Sequence, residues 1–148
     1  MAAGKKVLIA IAVGAAAAIS ALLANRTVES VPLRIPALGI EVACERVPLA
    51  ADERLQSVID KPDTAARYGR FILDHAGENF YGLWNIRRGD EVVLGERRYI
   101  CGFITTGWSR CGVRGKDGTL PEADLYLCTC VPDGEEYEIY IVGVNKEK

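Results

Sequence analysis

Beyond residue 26 the apolar residues of this chain fall in short runs, with glycine and proline in most of the gaps between them. Runs of four to seven apolar or alternating residues are strand-length, and turn residues after each one force repeated reversals. With 15 glycines and six prolines among 148 residues, the pattern points to a β-rich fold and not to a helical bundle. The length fits one compact domain plus whatever the N-terminus does, and 49% hydrophobic residues are enough to build a core. A net charge of −2 offers no basic field for nucleic acid.

Lys5 and Lys6 precede residues 7–24, 18 positions without a charge, and Asn25 and Arg26 end the run. As a helix the run would span roughly 27 Å at about 1.5 Å per residue, near the ~30 Å hydrocarbon core of a bilayer. Two readings stand: an uncleaved signal anchor, or a signal peptide cut near Ala18-Ile19-Ser20. The uninterrupted run favours the anchor. Residues 1–6 are then a cytoplasmic n-region, 7–24 a single-pass transmembrane segment, 25–31 a linker and 32–148 an extracellular domain.

Within that domain, Leu33-Arg34-Ile35-Pro36 and Ile40-Glu41-Val42-Ala43 read as strands around a turn at 36–39. Residues 51–59 have a helical period, with Leu55, Val58 and Ile59 on one face. Residues 64–70 read as loop or a short helical turn, 71–74 as a strand, and 80–86 as a brief helix. Strands follow at 91–94 and 99–105, then a glycine-rich surface loop at 107–120. Strands at 124–130 and 137–144 complete the set. About seven or eight strands with one or two short helices predict a small closed β-barrel.

Two strand ends carry the chemistry. The run Asp124-Leu125-Tyr126-Leu127-Cys128-Thr129-Cys130 breaks at Val131-Pro132-Asp133-Gly134, which leaves a thiol at its tip. The run Phe71-Ile72-Leu73 ends in Asp74-His75, before a turn at Ala76-Gly77, and His75 is the only histidine. A free thiol, with pKa near 8.5, is only a few per cent thiolate at neutral pH, so an imidazole beside it makes a nucleophile. Asp74 is a candidate for orienting His75, although neighbours on an extended chain face opposite ways.

Five cysteines (Cys44, Cys101, Cys111, Cys128 and Cys130) leave at least one unpaired, and none has the C-x₂-C spacing of a zinc site. Cys101 and Cys111 could flank a turn and pair. Cys128 and Cys130 share a strand face, so with His75 they also admit a redox or soft-metal reading. Alternatively, Cys128 is a small buried hydrophobe.

The succession Leu33-Arg34-Ile35-Pro36-Ala37-Leu38-Gly39-Ile40, Asp74-His75-Ala76-Gly77-Glu78-Asn79-Phe80, Gly89-Asp90-Glu91-Val92 and Leu127-Cys128-Thr129-Cys130 resembles the sortases. These are membrane-anchored cysteine transpeptidases of Gram-positive bacteria. The family's T-L-x-T-C motif matches residues 126–130 except that Tyr126 replaces the first threonine, and the resemblance covers about residues 31–144. It implies a closed β-barrel, Cys130 as nucleophile, His75 as acid/base partner, and no metal or organic cofactor. The implied partners are a peptide sorting signal, often an LPXTG-type pentapeptide, and a cell-wall or pilin amine as acceptor.

One position departs from the pattern. The family carries an arginine on the strand after the nucleophile, and here residues 136–144 contain none. Arg110 or Arg114, from the preceding loop, or backbone N–H groups after Cys130, would then meet the oxyanion. Trp108 and Thr129 join them as candidate substrate contacts, and Trp84 is a further rim or core aromatic. Glu138 facing the site would repel carboxylates and keep the thiol protonated; facing solvent it would be inert. A non-catalytic sortase-fold module that binds a peptide or partner protein at the cell surface is the alternative function, with a slow hydrolase between the two.

Overall fold

The computed structural model describes residues 29–110 and 112–148. The expected n-region, the anchor at 7–24, the first part of the linker and Cys111 lie outside the described residues.

Nine strands form one sheet: β1 Ser30–Ile35, β2 Ile40–Val47, β3 Thr64–Tyr68, β4 Phe71–Leu73, β5 Glu91–Leu94, β6 Arg97–Trp108, β7 Arg114–Gly115, β8 Leu125–Cys130 and β9 Glu138–Lys146. Their order is β5-β1-β2-β3-β4-β8-β9-β6-β7, and β5 also pairs with β6. Eight strands therefore close on themselves, and the two-residue β7 hangs on the far edge of β6. The closed barrel expected from the sequence is present. Closure removes the exposed edges that an open sheet would offer to other chains.

Most pairs are antiparallel, but β2–β3 and β4–β8 run parallel. The second parallel pair sets the site, because it lays two strands of distant sequence side by side and pointing the same way. Its register is Phe71↔Tyr126, Ile72↔Leu127 and Leu73↔Cys128. The strand ending in Cys130 is thus central, between β4 and β9.

Side chains alternate across the barrel wall. Leu33, Ile35, Ile72, Leu127, Val142 and Val144 are fully buried in the main cluster inside. Each large aliphatic group taken from water contributes about 1.5–3 kcal/mol. Outside the wall, Tyr126, Cys128, Ile139 and Ile141 form a second apolar layer, with Phe71, Leu73 and Leu120 packed on it. A third, smaller cluster of Val47, Val58 and Ala66 seats α1 (Leu55–Ile59) on the outer face of β2 and β3.

Gly143 sits where the Phe103 ring crosses the barrel wall, and a Cβ there would overlap that ring. Phe103 in turn lies against Tyr126, which stacks on Phe71 at 5.1 Å between centroids.

Four expectations need correction. Residues 64–70 are not loop, because Thr64–Tyr68 is a strand paired with both β2 and β4. Ala65 and Ala66 are small because one faces the barrel core and the other lies under α1. Gly69, at φ 61°, makes the hairpin turn that glycine permits most easily. The helix at 51–59 is α-helical only over Leu55–Ile59, since Ala51 (φ −125°, ψ 40°) kinks the preceding 3-10 turn.

Residues 80–86 close i→i+3 bonds, Leu83 to Phe80 and Ile86 to Leu83, and give a 3-10 turn in place of an α-helix. The glycine-rich stretch at 107–120 is more than surface loop. Trp108 still belongs to β6, Arg114–Gly115 forms β7, and Val113 and Leu120 cover the outer apolar layer. Tyr126 pins residues 121–123, donating its hydroxyl hydrogen to the Pro121 carbonyl (2.8 Å) and accepting the Ala123 N–H (3.0 Å).

Candidate active site

β8 delivers Cys130 to the barrel rim because the turn after it stops the strand. Val131 donates its N–H to the Glu138 carbonyl (3.0 Å), and Gly134 returns a bond to Val131 (3.1 Å). Leu125, Leu127 and Thr129 face inward, whereas Tyr126, Cys128 and Cys130 face out. The thiol of Cys130 is exposed and that of Cys128 is buried. Burial pushes the Cys128 thiol far above the ordinary thiol range and disfavours its thiolate. It is the small hydrophobe of the two readings, and among the described residues no cluster of three or more metal-ligating side chains forms. Cys101 is likewise a free thiol buried in the barrel.

β4 runs beside β8, and the contact continues past the last paired residues. Asp74 donates its N–H to the Cys128 carbonyl (3.3 Å), and the buried Thr129 hydroxyl donates to the Asp74 carbonyl (2.9 Å). The pairing ends at Leu73↔Cys128, and the Asp74 bonds carry the contact one residue further, so His75 follows on the same side of the seam as Cys130. Thr129 therefore acts as a clamp between the two strand ends. Its hydroxyl is spent inside the barrel and does not face a substrate.

Asp74 points inward, and its carboxylate is fully engaged. Oδ1 accepts the backbone N–H of His75 (2.7 Å), and Oδ2 accepts the Asn79 amide (2.7 Å). Burial raises its pKa, against those two bonds. Asp74 thus fixes the backbone of His75 and not its ring.

The ring has another partner. His75 Nε2 lies 3.0 Å from Asp60 Oδ1, at the C-terminal end of α1. The same oxygen accepts the Gln56 side-chain amide (2.8 Å). The hydrogen bond from His75, then that from Gln56, holds the Asp60 carboxyl below its usual range. Asp60 was not among the residues singled out from sequence. The only signal there is that the helical period ends at Ile59, one residue before it. Asp60 and Asn79 also line, with Pro62, Asp63 and Glu78, a concavity of about 410 Å³.

The other candidates gather at the same rim. Trp108 lies directly across from Glu138, and Arg114 across from Trp108. Arg110 stacks its guanidinium over Tyr137 at 5.9 Å, in the turn between β8 and β9. Both arginines are exposed.

Glu138 neither faces the thiol nor points freely to solvent. Ile139 is the residue opposite Cys130, and Glu138 binds Lys116 Nζ (2.8 Å) and the Glu135 N–H (3.0 Å). The Lys116 bond draws the Glu138 carboxyl below its usual range, and the Glu138 bond raises the lysine. Lys116 also lies 5.5 Å from the Trp108 ring centre. Sequence reasoning missed this lysine because nothing in 107–120 marks one cation above the others. Trp84 is half-buried between Tyr81 and Tyr140, with centroids 5.5 and 6.1 Å away.

No protein-family model and no curated protein matches this chain. Solved structures do. Sortase A from Corynebacterium diphtheriae aligns over 80% of this chain with TM-score 0.57 and 16% identity, covering 60% of its own length. A pilus-related sortase C of group B Streptococcus aligns over 81% with TM-score 0.55 and 16% identity, covering 68% of its length. A sortase E1 of Streptomyces coelicolor, solved with a tripeptide in its active site, aligns over 80% with TM-score 0.57 and 16% identity, covering 88%. The chain thus spans only three-fifths of the first of these proteins. The barrel has the sortase fold.

Proposed function

We propose that this sortase-fold chain is a cysteine transpeptidase held at the outer face of the cell membrane by residues 7–24. The observation that carries the reading is the exposed Cys130 thiol at the tip of β8, with His75 two residues past the end of the parallel neighbour β4 and the intervening Asp74 bonded to Cys128 and Thr129. Cys130 attacks the carbonyl carbon of a sorting-signal peptide, so that a C–S bond forms and the C–N bond breaks. The His75 imidazolium gives its proton to the leaving amine. A cell-wall or pilin amine then attacks the thioester and releases the thiol. No metal or organic cofactor enters these steps.

The oxyanion needs donors, and the backbone after Cys130 has few to give. The Val131 and Gly134 N–H groups are spent within the turn and Pro132 has none, which leaves Asp133. That shortage favours a rim guanidinium, and Arg110, which reaches from the β6–β7 loop over Tyr137 of the β8–β9 turn, is the candidate we favour.

The test is the pH dependence of Cys130 alkylation by iodoacetamide, with the other cysteines separated by peptide mapping, in wild type and His75→Ala. Fast reaction near neutral pH that slows on loss of His75 supports the pair. Capture of a thioester from LPXTG-type peptides by mass spectrometry would then establish the acyl transfer. A non-catalytic binding module is the second reading. It is favoured by the absence of an arginine on β9 and by the commitment of Glu138 to Lys116. It requires saturable peptide binding that survives Cys130→Ala, together with a Cys130 indifferent to His75.

A further inference from the structure

We infer that Asp60 is a positioning residue for His75: it fixes the ring tautomer and aims the free nitrogen at Cys130. The inference rests on the thiol–imidazole reading above and deepens it.

The strand order β3-β4-β8 sets the geometry. α1 lies on the outer face of β2 and β3, on one side of β4, and Cys130 stands on the outer face of β8, on the other. His75 follows β4, which lies between β3 and β8 in the sheet, and its ring meets Asp60 at the helix end. Asp60, His75 and Cys130 then follow one another across three neighbouring elements on one face of the barrel.

Hydrogen-bond chemistry sets the tautomer. Ionised Asp60 can only accept, so Nε2 must be the nitrogen that carries hydrogen at the 3.0 Å contact. In the neutral ring the lone pair then sits on Nδ1, which is the one nitrogen left to take a proton from Cys130. Gln56, by binding the same Oδ1, keeps the carboxylate turned toward the ring. The remaining acidic groups around the ring do not compete for Nε2. Asp74 is bound to the backbone N–H of His75 and to Asn79, and Glu78 follows in the next turn. Both Asp60 and His75 are partly exposed, so solvent screens the pair, and orientation, not stability, is its main effect.

A single histidine makes the test direct, because the imidazole ¹⁵N spectrum of the full-length protein contains one ring. The neutral ring of the wild type is expected to show the shifts of an Nε2–H tautomer. In Asp60→Ala those shifts should move toward a mixture of tautomers, and Cys130 alkylation should slow by about tenfold or more, as when an orienting partner of a histidine is lost. Asp60→Glu should restore part of both. Identical ring shifts in wild type and Asp60→Ala would overturn the inference. So would alkylation unchanged in Asp60→Ala but slowed in His75→Ala. If His75→Ala itself has no effect, the catalytic reading fails instead, while the ring spectrum still decides whether Asp60 sets the tautomer.

Discussion

Replacing Thr129 with valine removes one hydroxyl from the seam between β4 and β8 and keeps the volume nearly constant. The Thr129 side chain is buried, and its hydroxyl is the donor to the Asp74 carbonyl at 2.9 Å. Losing a net hydrogen bond costs about 1 kcal/mol, and stranding a buried carbonyl raises the cost to about 1–3 kcal/mol. For a domain of this size, about 2 kcal/mol corresponds to a Tm lower by roughly 6–10 °C.

Thr129→Ser is the matched comparison. It keeps the hydroxyl and deletes a methyl, worth about 0.8 kcal/mol as transfer alone. If Thr129 is a clamp, the two variants should behave oppositely at the thiol. The serine variant should lose some stability but retain His75-dependent alkylation of Cys130. The valine variant should lose stability and much of that dependence, because Asp74, and His75 after it, are then held to β8 only by the 3.3 Å bond from the Asp74 N–H to the Cys128 carbonyl. Urea denaturation and the alkylation assay on the same samples decide it. A valine variant as stable as wild type, with unchanged Cys130 kinetics, would refute the clamp.

Other perturbations are equally specific. Burial raises the Cys44 thiol to about 12 and that of Cys128 further, so both stay protonated in the folded barrel and ionise at ordinary values once unfolded. The folded state then binds more protons above pH 9, and stability must fall as pH rises from there toward 12. The loss approaches about 1.4 kcal/mol per pH unit for each such thiol; urea midpoints that stay flat between pH 8 and 10.5 would contradict it. Gly143→Ala forces the Phe103 ring out of its notch and should cost about 1–3 kcal/mol, read as a lower thermal midpoint. Lys116→Ala exposes the Glu138 charge at the rim, so iodoacetate should lose ground to iodoacetamide at Cys130, while Glu138→Gln should shift the ratio the other way. Raising the salt concentration should shrink both shifts.

What could be read from the sequence depended on how local the signal was. The β1–β2 hairpin and β5 were legible, since β-branched and alternating residues flank clear turns. β3 was not, because Thr64-Ala65-Ala66-Arg67-Tyr68 has no apolar alternation; its alanines are explained only by a core on one side and a helix on the other. The end of β8 at Cys130 and the turn after β4 that holds His75 were legible as strand boundaries. Their partners were not. Asp60 reaches the ring from 15 residues upstream, and Lys116 reaches Glu138 from 22 residues away, distances that only the folded sheet closes.

The buried thiols also turn the parallel seam into a clock. Cys44 lies in β2, Cys101 in β6 and Cys128 in β8, so each goes dark to an alkylating pulse when its own part of the wall zips up. The β4–β8 seam joins residues more than fifty positions apart, and three other strands must be threaded between them. Such non-local closure is slow. Cys128 should therefore lose reactivity late in refolding, while Cys130, the thiol next door but one, stays open to reagent throughout.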